Sequence, residues 1–268
     1  MQQRFDLHIH SQYSYDCETP LAAIFESARR QGLSGVAIAD HDSFSGSEEA
    51  LGHAPAGLLI IPAVELSTER GHILCYFLKE DPQKAGLRKN TEGFFPFREV
   101  CAFAVSQDAL LFAAHPYRGH RFSETMLPDL CGVEAFNGGN TGRKQRANDQ
   151  AMMLAERKHL PVSAGSDAHL LWQIGTVARI FDLPAGASLT DLRRELAVPG
   201  GRISGRYSPM TGEALFYAKW HFQRGEYRRA LRQCGKAAAG CVLDPLAPLR
   251  SDTRCIARGA VFEIGGSI

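Results

Sequence analysis

The sequence predicts an α/β fold built on a mainly parallel sheet, and three observations carry that prediction. Short apolar runs alternate with helix-like stretches along most of the 268 residues. Several runs, such as VAIA at 36–39 and LLIIPAV at 58–64, are almost uniformly apolar, as strands covered on both faces must be. Apolar residues make up 44% of the chain and charged residues 22%, so a sizeable core can form and global disorder is excluded. Repeated strand–helix units fit either a barrel or a doubly wound sheet, and a single α/β barrel of this length is ordinary.

Taken in order, the expected strands cover 5–10, 35–39, 58–65, 72–78, 110–115, 132–136, 161–164 and 176–180. Helices are expected over 21–31, 97–107, 144–158 and 189–196. The first of these follows Thr19-Pro20, read as an N-cap with proline at the first helical position, and stops at Gly32. Residues 213–233 read as a helix interrupted at Arg224-Gly225-Glu226. That is a helical hairpin with aromatics at Phe216, Tyr217, Trp220 and Tyr227, expected to serve packing or oligomerisation. The residues beyond Gly235 are rich in Ala, Gly and Pro and define no element.

Charge is nearly balanced, 30 Lys and Arg against 29 Asp and Glu, so no strong field points to long nucleic acid or a membrane surface. The longest apolar runs are too short to span a bilayer. The first residues, MQQRFDLHIHSQYSYD, contain no apolar signal segment. Seven cysteines, an odd number without a C-x-x-C pair, read as free thiols of a reducing cytoplasm, and a cytoplasmic chain is expected.

Metal-ligating residue types recur at predicted strand ends. His8 and His10 leave one strand on the same face, so both imidazoles can converge on one ion. Asp167 and His169 repeat that spacing, Glu65 and His115 each close an apolar run, His41 follows another, and His72 opens one. Parallel α/β folds place their active sites at the C-terminal ends of strands. A purely structural explanation would need all these polar groups to find separate partners at one end of a sheet.

The runs DLHIHSQYSYD, IADHD, IPAVELS, AAHPYRG and AGSDAH resemble, in order, the motifs of the polymerase and histidinol phosphatase (PHP) family. The resemblance spans about residues 4–181. VEAFNGGNTG and IGTVARIF further resemble PHP proteins that carry the associated C-terminal extension. It implies a distorted seven-stranded (β/α) barrel, TIM-like, with two or three divalent ions (Zn, Mn or Fe) at its strand C-termini. A PHP domain with its associated segment would cover 1–205, and a small helical C-terminal extension 206–268. One metal would be held by His8, His10, Glu65 and Asp167. Glu65 would bridge to a second, held with His72 and His115, and Asp16, His41 and His169 would hold a third. Asp16 stands where some branches use His, and His72 is assigned by its spacing from Glu65.

The activity implied is hydrolysis of a phosphomonoester, a nucleotide or other small phosphorylated metabolite, by a metal-bridging hydroxide. Glu65, Asp167, Asp42 and Arg118 are the expected catalytic residues. Asp40 and Asp42 flank His41, either to orient it or a water or to cap the turn. Arg118, Arg143 and Asn137 are expected at the substrate, the arginines forking onto phosphate oxygens. Competing readings are an exonuclease on short nucleic acid and a non-catalytic, metal-stabilised interaction module. An amidohydrolase ranks below them, because no lysine at a strand end offers itself for carboxylation. The sequence leaves the oligomeric state open.

Overall fold

The sheet is mixed, with two groups of parallel strands and antiparallel strands between and beyond them. The structure is a computed structural model that describes residues 1–119, 121–140, 145–243 and 252–256. Parallel pairs join β1 (Gln2–Ile9) to β2 (Gly35–Ile38) and β2 to β3 (Leu59–Thr68), with α1 (Leu21–Arg30) and α2 (Ser45–Gly52) in the crossovers. They also join β5 (Leu110–Ala113) to β6 (Gly132–Asn137) and β6 to β7 (Val162–Gly165). Between these groups, β4 (Gly71–Tyr76) runs antiparallel to β3 and β5. Only Glu69 and Arg70 separate β3 from β4, far fewer than the dozen or so residues a parallel crossover needs. Gly71 takes φ 114° at this turn, a conformation that favours glycine.

After β7 the chain adds β8 (Val177–Asp182) antiparallel to β1 and β9 (Gly201–Gly205) antiparallel to β8. The strand order is β9-β8-β1-β2-β3-β4-β5-β6-β7, with β10 (Asp252–Ile256) outside β9. The expected barrel is therefore present but has nine strands, nearly closed, rather than seven. The ninth strand arises because α5 (Leu189–Leu196) returns the chain beside β8, in a segment where no strand is expected from sequence. Closure between β7 and β9 is loose, through bridges from Pro161 to Pro199 and Gly200. Arg179 on β8 is 5% exposed, and its guanidinium donates to the carbonyls of Val162, Ile180, Gly200 and Arg202, stitching that gap. A Cβ on Gly201 would lie 1.9 Å from this guanidinium, which explains the glycine there.

Alternate residues of five strands, among them Phe5, Leu7, Ile61, Ala63, Leu74 and Phe112, form one of three apolar clusters. Fully buried Tyr76 reaches across the barrel, donating to Leu7 O and meeting Ser163 Oγ at 2.7 Å. Outside, α1 buries Leu21, Ile24, Phe25 and Ala28 at helical spacing. Its N-cap is Pro20 itself, so proline sits one position earlier than expected, and Thr19 Oγ1 donates to His169 O instead of capping. The helices α3 (Phe97–Gln107) and α4 (Gln145–Lys158) match their predictions, whereas α2 has no counterpart in them. The expected hairpin is α6 (Met210–Gln223) and α7 (Tyr227–Leu243), broken at Gly225 with φ 73°. Among the described residues no helix is long and apolar enough to cross a membrane, and the six cysteines described there are free.

Candidate metal centre

The site is made by strand ends that turn their last residues inward. His8 lies at the end of β1, with His10 just past it, and Asp167 follows β7. Asp167 N donates to His8 O, and His10 N donates to Ala168 O, so these two ends are locked side by side. Asp167 and His115 take φ 54° and 30°, an uncommon region for non-glycine residues. Asp6 pins the same corner, its oxygens accepting from Ser166 N, Ser166 Oγ, Gly175 N and His8 N.

Four side-chain atoms then converge in a space from which solvent is excluded. His8 Nε2 lies 3.1 Å from His10 Nε2, 3.0 Å from Glu65 Oε2 and 3.6 Å from Asp167 Oδ1. His10 Nε2 lies 3.4 Å from Glu65 Oε2 and 3.1 Å from Asp167 Oδ1. A tetrahedral ion with ligand bonds of ~2.0–2.1 Å separates its ligands by about 3.3–3.4 Å, so these five edges fit one divalent cation. Two imidazole nitrogens facing each other are poorly served by a hydrogen bond alone, because each also meets a carboxylate. The donor set fits a metal.

Glu65 extends the cluster. Its Oε1 meets His72 Nδ1 at 2.8 Å and His115 Nε2 at 2.9 Å, and its Oε2 lies 3.2 Å from His41 Nδ1. Asp16 Oδ2 in turn meets His169 Nε2 at 3.2 Å and His41 Nε2 at 3.5 Å. Three overlapping groups result, His8/His10/Glu65/Asp167, His41/Glu65/His72 and His10/Asp16/His41/His169, each with ligand atoms mutually within 4.8 Å. All nine residues expected as ligands are thus brought together. Against the expected partition, His41 faces both Glu65 and Asp16, His10 also lies with the Asp16 group, and His115 belongs to none of the three groups, its Nε2 meeting Glu65 alone.

The electrostatics keep the carboxylates charged. Burial opposes ionisation of Glu65, yet His41, His8 and His72 hold it well below the usual carboxylate range. Asp167 is likewise held low against its burial, chiefly by Arg118 and then His8. Burial, with His169 and His41 beside it, pushes His10 down to about 3, so its imidazole is neutral, the form that binds metal. Its Nδ1 is buried without a hydrogen-bond partner among the described residues.

Glu134 is the residue that sequence reasoning missed. It is fully buried, Oε1 bonding His8 Nδ1 at 2.9 Å while Oε2 accepts from His115 N at 2.7 Å and Asn137 Nδ2 at 2.9 Å. One carboxylate therefore contacts two expected ligands, and by accepting the Nδ1–H of His8 it turns Nε2 toward the cluster, where a metal would take its lone pair. The available signal was a glutamate inside the otherwise apolar stretch 132–136.

Other expected site residues have structural work. Asp42 accepts from Ser67 N at 2.6 Å and Lys89 Nζ at 2.8 Å, and Asp40 accepts from Ser11 N and Ser11 Oγ, so both secure turns around His41. Asn137, expected at the substrate, is fully buried with both polar atoms committed, to Glu134 and to Arg118 and Gly139 N. Arg118 does face the site, but as a fastened group: Nη2 pairs with Asp167 Oδ2 at 2.7 Å and Nε donates to Asn140 at 2.7 Å. Arg143 lies outside the described residues.

Above the cluster opens a cavity of about 190 Å³, walled by Asp16, His41, His72, His115, Arg118 and Asp167. Glu213 and Tyr217 of α6 complete its wall, with the Tyr217 ring 6.3 Å from that of His169. The helical extension, expected to serve packing or oligomerisation, thus also lines the site.

A barrel with overlapping carboxylate–imidazole clusters at its mouth has groups there that could hold metal. A family model described as PHP domain matches residues 6–122, and one described as PHP-associated matches 145–197. The chain belongs to the PHP family. An uncharacterized protein of Methanocaldococcus jannaschii is 31% identical over 149 residues, covering 49% of this chain and 80% of that one. Among solved structures, a two-domain protein from Bacteroides vulgatus containing a predicted PHP-like metal-dependent phosphoesterase superposes with TM-score 0.59 at 17% identity, over 78% of this chain and 66% of that one. Endonuclease Q, in complex with a 27-mer duplex substrate carrying an abasic lesion, superposes with TM-score 0.57 at 21% identity. That match covers 73% of this chain and 56% of the endonuclease. At such identities the likeness is one of fold.

Proposed function

We propose that this protein is a metal-dependent phosphoesterase that hydrolyses a phosphomonoester, a nucleotide or other small phosphorylated metabolite. The observation that carries the reading is Glu65, whose two oxygens face different sets of imidazoles, the arrangement of a carboxylate shared between cations. In this reading His8, His10, Glu65 and Asp167 hold one ion, Glu65, His72 and His115 a second, and Asp16, His41 and His169 a third. Divalent ions there, of zinc, manganese or iron, supply water activation near neutral pH and neutralise phosphoryl charge.

The protein's own groups complete the task. Glu134 fixes the proton of His8 on Nδ1. Asp167 and Asn140 hold the Arg118 guanidinium at the cavity, where its charge attracts a phosphoryl group. Asn137 acts through Arg118 rather than on substrate. Tyr217 and Glu213 limit the room above the cluster, and a cavity of this size supports a small ester over a polymer. Free thiols support a reducing, cytoplasmic setting, and the working division is a catalytic unit at 1–205 with an extension at 206–268 that contributes to its pocket.

The test loads the protein with Mn, Zn or Fe and assays phosphomonoesters, phosphodiesters and short oligonucleotides. Turnover of monoesters that is abolished in Asp167→Ala is expected. Turnover confined to oligonucleotides would favour the exonuclease. No turnover with any metal or substrate would overturn the enzymatic reading.

A further inference from the structure

A second cavity of about 250 Å³ adjoins the metal pocket, and His72, His115 and Arg118 are walls of both. Its other walls are of a different kind. Ala113, Pro116, Phe122 and Met126 make them largely apolar, and Arg70 and Arg121 stand among them. Both guanidiniums rest on aromatic faces, Arg121 at 4.3 Å from the Phe94 ring centroid and Arg70 at 5.5 Å from that of Phe97. Such stacking holds the planar forks in place without using up their donors. Arg70 Nε has Glu69 at 4.0 Å, an exposed pair too long and too solvated to neutralise it.

We infer that this cavity receives the leaving group of the substrate, and that the leaving group has an apolar, ring-sized body carrying a negative charge of its own. The inference rests on the phosphoesterase reading. A phosphoryl group above Glu65 has its ester oxygen free to point across the shared wall, because the cavity beyond His72 and His115 is the adjoining space. Dividing the volume by a water's share of ~30 Å³ gives on the order of eight water-sized groups, about one substituted ring. The apolar wall rewards a body without hydrogen-bonding needs. Arg70 and Arg121 reward an anionic substituent at its outer end, by charge-assisted hydrogen bonds. A simple polyol phosphate would leave both features unused.

The test compares para-carboxyphenyl phosphate with its neutral isostere, para-carbamoylphenyl phosphate, and with glycerol phosphate, on the metal-loaded protein. The carboxylate ester is expected to show the highest kcat/KM, about tenfold or more above the isostere, the scale of one charge-assisted hydrogen bond. In the Arg70→Gln/Arg121→Gln double variant that ratio is expected to collapse towards one, with the thermal unfolding curve confirming an intact fold. A parallel calorimetric measurement uses the product side: para-hydroxybenzoate is expected to bind better than para-hydroxybenzamide, and the double variant to lose the difference. Equal turnover of the three esters, or a ratio unchanged in the double variant, overturns the inference while leaving the phosphoesterase standing. If none of the three esters is turned over, the binding arm decides the subsite, and absence of arginine-dependent carboxylate selectivity overturns it, while the phosphoesterase reading is judged on the wider substrate panel.

Discussion

Replacing Glu134 by Gln tests how the metal centre is prepared, because the substitution changes one carboxylate oxygen into a donor without changing shape. Oε2 of Glu134 accepts two N–H groups, from His115 and Asn137, while Oε1 meets His8 Nδ1 alone. Placing the new amide nitrogen at the first position would leave two buried donors facing a donor, at ~1–3 kcal/mol each. Placing it at the second conflicts with a single proton, and His8 can remove that conflict by shifting its proton to Nε2. The second arrangement wins. His8 Nε2, 3.0 Å from Glu65 Oε2, then carries a hydrogen where a metal needs a lone pair. Metal affinity is expected to fall about 10–100-fold, the usual effect of losing a ligand's orienting partner. In the metal-free protein, against its burial, the carboxylates of Glu65, Glu134 and Asp167 hold His8 well above its ordinary pKa, so its Nδ1 hydrogen meets the new amide and stability should fall by ~1–3 kcal/mol. Chelator competition measures the first quantity, urea unfolding the second, and nitrogen NMR of the imidazoles reports the tautomer. Wild-type affinity with the His8 proton moved to Nε2 would refute this reasoning.

Other expectations follow from the same geometry. Asp6→Asn must turn its amide nitrogen either toward the backbone N–H groups of Ser166 and His8 or toward that of Gly175, where only the neighbouring Ser166 hydroxyl can rotate away, and should lose ~1–3 kcal/mol in denaturant unfolding. Gly201→Ala puts a methyl 1.9 Å from the Arg179 guanidinium and should cost at least ~2 kcal/mol, whereas Gly52→Ala, with nothing within 4 Å, should be neutral or slightly stabilising. Chelation of bound metal should lower the midpoint of thermal unfolding, and excess metal at about a thousandfold its dissociation constant should restore roughly 4 kcal/mol. A midpoint that does not move on chelation would mean that the cluster binds no ion.

Part of the candidate ligand set was legible because its chemistry is local: His8 and His10 share a strand face, and Asp167 and His169 repeat the spacing, while the full set of nine rests on the resemblance to the PHP family. Glu65 could be read as a strand-terminal acid, but its role as the hub, touching both faces of the cluster, needs β2, β3, β4 and β5 placed beside one another. The reversal of β4 was legible too, since a six-residue gap between the predicted strands at 58–65 and 72–78 cannot carry a parallel crossover. By contrast, Glu134 stands out only as an acid inside an apolar run, with nothing to name its partners, and Asn137 reads as a turn residue. Only the partners at His8, His115 and Arg118, 126, 19 and 19 residues away, define them. Arg179 is similar: a charge in a strand reads as exposed until the unpaired carbonyls of a loosely closed barrel surround it.

The central claim is that Glu65 is shared between divalent ions. A crystal structure of the manganese-loaded protein, with anomalous scattering collected at the manganese edge, tests it most directly. Two or three anomalous peaks are expected, one among His8, His10 and Asp167 and another beside His72 and His115, with Glu65 bound to both. A single peak, or peaks that leave Glu65 on one ion only, would contradict it.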